Sequence, residues 1–141
     1  MTNTVIPYVQ EVQLSGQICC DSPFPAVFQA GAKLEQDMEL VADWFQAHRQ
    51  ALLELLAESG ALLLRGLPIR SDQDFDLVMR SLDQENFSYG GSLSNAVRHN
   101  RTERVFTANE APPDVEIYFH HEMAQTPLFP SKLAFYCEQA P

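Results

Sequence analysis

A chain of 141 residues is about one domain of polypeptide, and a hydrophobic share of 45% suits a packed core and argues against intrinsic disorder. The formal net charge of -10, with no basic run anywhere, argues against a nucleic-acid partner, which needs clustered Lys and Arg. The longest apolar run, Ala61 to Leu64, is far too short to cross a membrane, so no membrane partner is expected.

The N-terminus, Met1 to Pro7, lacks the charged and apolar regions of a signal peptide. Of the three cysteines two are vicinal, Cys19-Cys20, which makes neither a disulfide framework nor a C-x-x-C motif and suits a reducing, cytoplasmic setting. Residues 1–31 read as extended and irregular, punctuated by Pro7, Gly16, Pro23, Pro25 and Gly31. Within them, Ser22 to Phe28 packs aromatic side chains onto the body while Pro23 and Pro25 forbid a helix. From about Asp37 to Ser59 the period turns helical: Val41, Trp44, Phe45, His48, Leu52, Leu55 and Leu56 make one apolar stripe. Gly60 stands where a C-terminal cap glycine belongs.

Ala61 to Gly66 is short and apolar enough for a buried strand, and Leu67-Pro68-Ile69 then turns the chain. Ser71 is placed as the N-cap of a second helix, with acids in its first turn and Phe75, Val78, Met79 and Leu82 as its buried stripe. Residues 86–116 read as loops around Tyr89-Gly90-Gly91-Ser92 and Ala111-Pro112-Pro113-Asp114, with a brief strand at Arg104 to Thr107. Helices first and strands late predict an α+β fold whose sheet, begun at residues 61–66 and 117–137, is only partly built within the chain. Such a sheet leaves unpaired edges.

Chemistry concentrates in Phe119-His120-His121-Glu122-Met123, after apolar Ile117 and Tyr118 and before the alternating run Leu133, Phe135, Cys137. An extended backbone over 117–123 would point His120 and Glu122 to one face and His121 to the other. An imidazole and a carboxylate side by side can take adjacent corners of an octahedral metal, as in the 2-His-1-carboxylate triad of non-haem Fe(II) oxygenases. A His-x-Glu alone also arises as a solvated strand edge; its place between two apolar runs is what favours the metal reading. No histidine follows His121 to complete the triad. His48, on the apolar stripe, reads as a core or helix-edge residue, and His99, in Arg98-His99-Asn100-Arg101, as a surface one.

Zinc ranks below iron, because His120, His121 and Glu122 cannot all face one ion from a regular strand and no H-E-x-x-H is present. Tyr89-Gly90-Gly91-Ser92 is a glycine turn or a lip over a pocket, and lacks the ending of a phosphate loop. Arg65 ends its strand where it could pair a carboxylate or merely cap a nearby acid. Nucleophilic triads find no support, since Cys137 reads as a small buried strand residue.

At His120-His121-Glu122-Met123-Ala124, followed by Pro130-Ser131-Lys132-Leu133-Ala134-Phe135-Tyr136-Cys137, the chain resembles the TauD/TfdA-type Fe(II)/2-oxoglutarate-dependent dioxygenases, nearest the branch of clavaminate synthase and SyrP-like enzymes. Gly60 to Leu67 is similar to that family's early strand, and the likeness runs from about residue 34 onward. The resemblance implies an incomplete double-stranded β-helix, or jelly roll, with flanking N-terminal helices. It implies His120 and Glu122 as catalytic iron ligands, Fe(II) as cofactor and 2-oxoglutarate as cosubstrate, in hydroxylation of a small molecule, such as an amino acid or carrier-bound intermediate of specialised metabolism. The family's Gly-Gly-x-Thr segment, distal histidine and oxoacid-binding arginine have no counterpart before Pro141. The expectation is therefore a single domain over 1–141, irregular over 1–33, forming the N-terminal part of such an enzyme and completed by a C-terminal half or a homo-oligomer. The competing expectation is a non-catalytic remnant or assembly module that pairs through an open sheet edge.

Overall fold

In the computed structural model the described residues are 6–19, 23–87, 98–108, 111, 112, 114–124 and 126–139. The Tyr89-Gly90-Gly91-Ser92 stretch lies outside them. The body is built around β4, Ala26–Ala30, whose Ala26, Val27, Phe28 and Ala30 are all buried. It is the middle strand of a three-stranded sheet. On one side β1, Val9–Glu11, runs antiparallel in the register Val9 to Ala30 and Glu11 to Phe28. On the other β5, Leu62–Arg65, runs parallel in the register Ala26 to Leu62 and Gln29 to Arg65. A separate two-stranded ribbon joins β2, Ile18–Cys19, to β3, Pro23–Phe24. Within 1–31, read as extended and irregular, the described residues 9–11, 18–19, 23–24 and 26–30 are extended and paired. The prolines around β4 hide a strand that is buried on both faces and so shows no alternation.

The parallel pairing of β4 with β5 needs a long crossover, and α1, Met38–Ser59, supplies it. Asp37 caps its start: Oδ1 accepts from the amides of Glu39 and Leu40 at 2.9 and 3.1 Å, a contact worth about 1 kcal/mol. Gly60 ends it at φ 76°, a left-handed conformation that would cost a side-chain-bearing residue roughly 1–2 kcal/mol. The apolar stripe buries Val41, Trp44, Phe45 and Leu52 against Ile6, Ala30, Leu34 and Val78. Trp44 also donates from Nε1 to the Pro7 carbonyl at 2.6 Å, tying the first strand to the helix.

The second helix, α2, covers Asp72–Ser81, and Ser71 accepts from the Asp74 amide as its N-cap. Val78 is buried and Phe75, Met79 and Leu82 half-buried, as the stripe requires; the unexpected member is Asp76, buried at 5% exposure. Strand β5 differs from a buried strand, for Leu62 and Leu64 are half-buried while Leu63 and Arg65 are exposed. No helix among the described residues is long and apolar enough to cross a membrane.

The largest departure lies in residues 117–137, where no strand forms among the described residues. Leu133, Phe135 and Cys137, read as an inward-facing run with a buried cysteine, are exposed, and Tyr136 is the residue that turns in. A lone strand with no neighbour to pair with has nowhere to place its amides, so tertiary anchors decide its course instead. Arg104 to Thr107 contributes only a bridge between Asn100 and Phe106. The described residues form a mixed α and β body with two helices and a small partial sheet.

Candidate metal centre

Met123 shapes the segment that carries the site. It is buried at 3% exposure and sits at φ 60°, the left-handed region, so the backbone reverses directly after Glu122. Two turn bonds close this reversal, Ala124 N to His121 O at 3.2 Å and Thr126 N to Met123 O at 3.0 Å. Burying Met123 compensates for its backbone conformation and fixes the depth of its neighbours. Glu122 retains only 15% side-chain exposure, while His120 stands out at 57%.

His120 and Glu122 come together, as the strand alternation suggested, although the backbone is not a strand. Nε2 of His120 lies 3.9 Å from Oε2 of Glu122. The other ring nitrogen, Nδ1, lies 2.7 Å from the Tyr118 carbonyl. A carbonyl can only accept, so Nδ1 carries the proton and the neutral ring keeps its lone pair on Nε2, on the side facing the carboxylate. A backbone carbonyl holding the far nitrogen of a histidine is the usual support of a metal ligand. His121 points elsewhere and packs edge-on against Phe129 at 5.1 Å between ring centroids.

The donor set fits one corner pair of a metal site. Adjacent octahedral donors with bonds of about 2.1 Å stand about 3.0 Å apart, so the pair must close by roughly 0.9 Å. The exposed His120 side chain has the freedom to make that movement. No third His, Cys, Asp or Glu joins the pair among the described residues. His48 is accounted for on α1, with Nδ1 2.8 Å from the Trp44 carbonyl and its ring on the indole. His99 is exposed, and its amide donates to Thr107 Oγ1 at 2.9 Å. A concavity lined by Glu35, Gln36, Met38, Pro68, Arg70 and Asp74 includes neither His120 nor Glu122.

Arg98 was invisible as a site residue in the sequence. Its Nη2 donates to Glu122 Oε1 at 2.8 Å, and both side chains are largely shielded, at 18% and 15% exposure. The loop bearing it is tied to α2 twice. Arg101 Nε pairs with Asp72 Oδ2 at 2.9 Å, and this guanidinium holds the Asp72 carboxyl below the usual aspartate value against the opposing effect of burial. Thr102 Oγ1 donates to Asp76 Oδ1 at 2.7 Å and accepts from the Arg104 and Val105 amides, while Arg80 Nε pairs with Asp76 Oδ2 at 2.8 Å. The Tyr136 hydroxyl donates to the Ile69 carbonyl at 3.1 Å just before α2, and its ring lies 5.8 Å from that of Phe75. Burial pushes the Tyr136 phenol above its usual value. The residues from Arg98 to Glu122 to Tyr136 are thereby referenced to one helix. Only the complementary charges of Arg98 and Glu122 hinted at this in the sequence, and a separation of 24 positions carries no periodic signal.

Comparison with known proteins bears on the family. Residues 22–141 match the family described as taurine catabolism dioxygenase TauD, TfdA family. A clavaminate synthase-like protein of Arabidopsis thaliana is 43% identical over 123 residues, covering 84% of this chain and 37% of that protein. Dapdiamide synthesis protein DdaC of Enterobacter agglomerans is 36% identical over 87 residues, covering 62% of this chain and 26% of its own length. The chain thus spans well under half the length of these curated relatives. With a match over residues 22–141, most of its length, the chain belongs to the TauD/TfdA family.

Proposed function

We propose that this chain is the N-terminal part of an Fe(II)- and 2-oxoglutarate-dependent dioxygenase domain of jelly-roll type, in which His120 and Glu122 are two protein ligands of the iron. The observation that carries the reading is the paired geometry: Nε2 of His120, its lone pair freed by the Tyr118 contact, faces Oε2 of Glu122 at 3.9 Å. Family membership supports the choice of iron over zinc. When bound, Fe(II) with 2-oxoglutarate would activate O2, the oxidant, for attack on an unactivated C–H bond of a small-molecule substrate.

The chain's own residues do the placing. His120 offers Nε2 with its tautomer set; Glu122 offers a carboxylate oxygen from a shielded position; buried Met123 anchors the backbone directly after Glu122. The third ligand and the group that anchors the oxoacid come from outside the described residues, from a C-terminal half or a second copy of the chain. The names of the relatives, clavaminate synthase-like and dapdiamide synthesis, support a small molecule of specialised metabolism as the substrate class. A cytoplasmic setting goes with this reading.

The second reading, an assembly module without catalysis, is favoured by one feature: Ile117, Phe119, Leu128, Phe129 and Phe135 are all half or more exposed and call for a covering surface. Anaerobic Fe(II) titration of the purified protein, with and without 2-oxoglutarate, separates the two. Binding that is lost in His120→Ala, with the visible charge-transfer band of an Fe(II)–oxoacid chelate, supports the dioxygenase. Iron binding no stronger than in the variant, together with a stable homo-oligomer, supports the module.

A further inference from the structure

We infer that Arg98 is a positioning residue of the metal centre, holding Glu122 by Oε1 so that Oε2 alone is presented to the ion shared with His120. The inference rests on the iron-site reading above. The two carboxylate oxygens are already divided: Oε1 lies 2.8 Å from Arg98 Nη2, and Oε2 is the one that faces His120 Nε2. A carboxylate free to rotate offers either oxygen, or both at once as a chelate. Engaging one oxygen with a guanidinium removes the bidentate mode and leaves a coordination position open for other ligands.

The arginine can do this only if its own position is fixed, and the loop supplies that. Arg101 and Thr102, three and four residues on, are pinned to Asp72 and Asp76 of α2. The Arg98 backbone is therefore referenced to the packed body. At 18% and 15% exposure the pair is also shielded from the solvent competition that makes surface ion pairs weak. A guanidinium near a bound cation repels it, so orientation and repulsion act in opposite directions. The metal affinity of Arg98→Met reads which of the two is larger.

The test is anaerobic titration of the purified protein with Fe(II) and with Co(II), following heat and the Co(II) visible bands, with circular dichroism as a check on folding. The variants are His120→Ala, Glu122→Ala, Arg98→Met and Arg98→Lys. Arg98→Met is expected to weaken metal binding about 10–100-fold, the usual effect of losing a partner of a ligand. Its Co(II) bands shift and weaken as the carboxylate turns bidentate. Arg98→Lys, which can still hold one oxygen, restores part of the affinity and the wild-type band shape, a rescue that a merely structural role would not show. If His120→Ala and Glu122→Ala leave binding unchanged, or if the wild type binds neither metal, the iron-site reading falls and this inference with it. If those two variants abolish binding but Arg98→Met binds as tightly as wild type, or more tightly, the iron site stands and the role of Arg98 is overturned. Should Arg98→Met fail to fold, Arg98→Lys decides: wild-type affinity with altered bands overturns the inference, and reduced affinity with preserved bands supports it.

Discussion

Two parts of this chain obey different rules. From Ile6 to Leu82 the body satisfies itself: a central strand buried on both faces, a crossover helix with both ends capped, and an indole at the middle of the core. From Arg98 to Gln139 the chain holds the candidate site but, among the described residues, little core of its own, with Val105 and Met123 as the buried apolar ones. Most of its large apolar side chains face outward, Phe119 fully and Phe135 at 79% exposure. Polar anchors to α2 do the work that packing does elsewhere. The difference teaches that a site can be shaped by a few directed contacts before its surroundings are complete, because hydrogen bonds and ion pairs specify position where hydrophobic burial specifies only proximity.

Substitutions can break this comparison, and the largest contrast should come from aromatics of the two parts. Trp44→Ala removes the core indole and its bond to Pro7, and should cost about 3–5 kcal/mol in denaturant unfolding. Phe119→Ser, at an exposed ring of similar size, should change stability by no more than about 0.5 kcal/mol. A large loss there would show that residues 117–119 are covered in solution, and the contrast would collapse.

The next effect tests the anchors. Asp76→Ala leaves Thr102 and Arg80 without their shared acceptor and should destabilise by roughly 1–3 kcal/mol. It should also weaken metal binding at a distance, since Thr102 belongs to the loop that carries Arg98. Unfolding and Fe(II) titration of the same variant read both consequences, and unaltered iron affinity would separate the loop from the site.

The smallest effect is one of pH. Arg101 holds the Asp72 carboxyl below its usual value, so the folded protein binds that proton less readily than the unfolded chain. The stability this contributes is present above the unfolded-state value of 3.8 and is lost as pH falls through the lower, folded value. Asp72→Asn should therefore lower stability slightly at neutral pH, flatten the acid limb of a stability profile between those two values, and meet wild type below the folded value. An acid limb identical to wild type would remove Arg101 from the anchors.

The features written locally were legible. The stripe from Val41 to Leu56, the glycine at Gly60 and the N-cap at Ser71 each depend on neighbours within four or five positions, so spacing alone reveals them. Strand β4 was not legible as a strand: burial on both faces erases the alternation, and flanking prolines suggest a loop. Residues 117–137 failed in the opposite direction, for Leu133, Phe135 and Cys137 alternate like a strand yet find no strand to pair with among the described residues. The pairing of His120 with Glu122 came through because residues two apart stay close in any extended backbone, regular or not.

By itself the sequence determined the helices and their ends, the histidine–carboxylate pair and the family to which both belong. Those follow from short-range periodicity and from side-chain chemistry that survives any fold. Only the tertiary structure decided that β4 is the middle of the sheet, that Tyr136 turns in while Phe135 turns out, and that Arg98 divides the oxygens of Glu122. Each of these joins residues far apart in the chain, and which distant groups meet is set by the packing of the whole body, which no local pattern encodes.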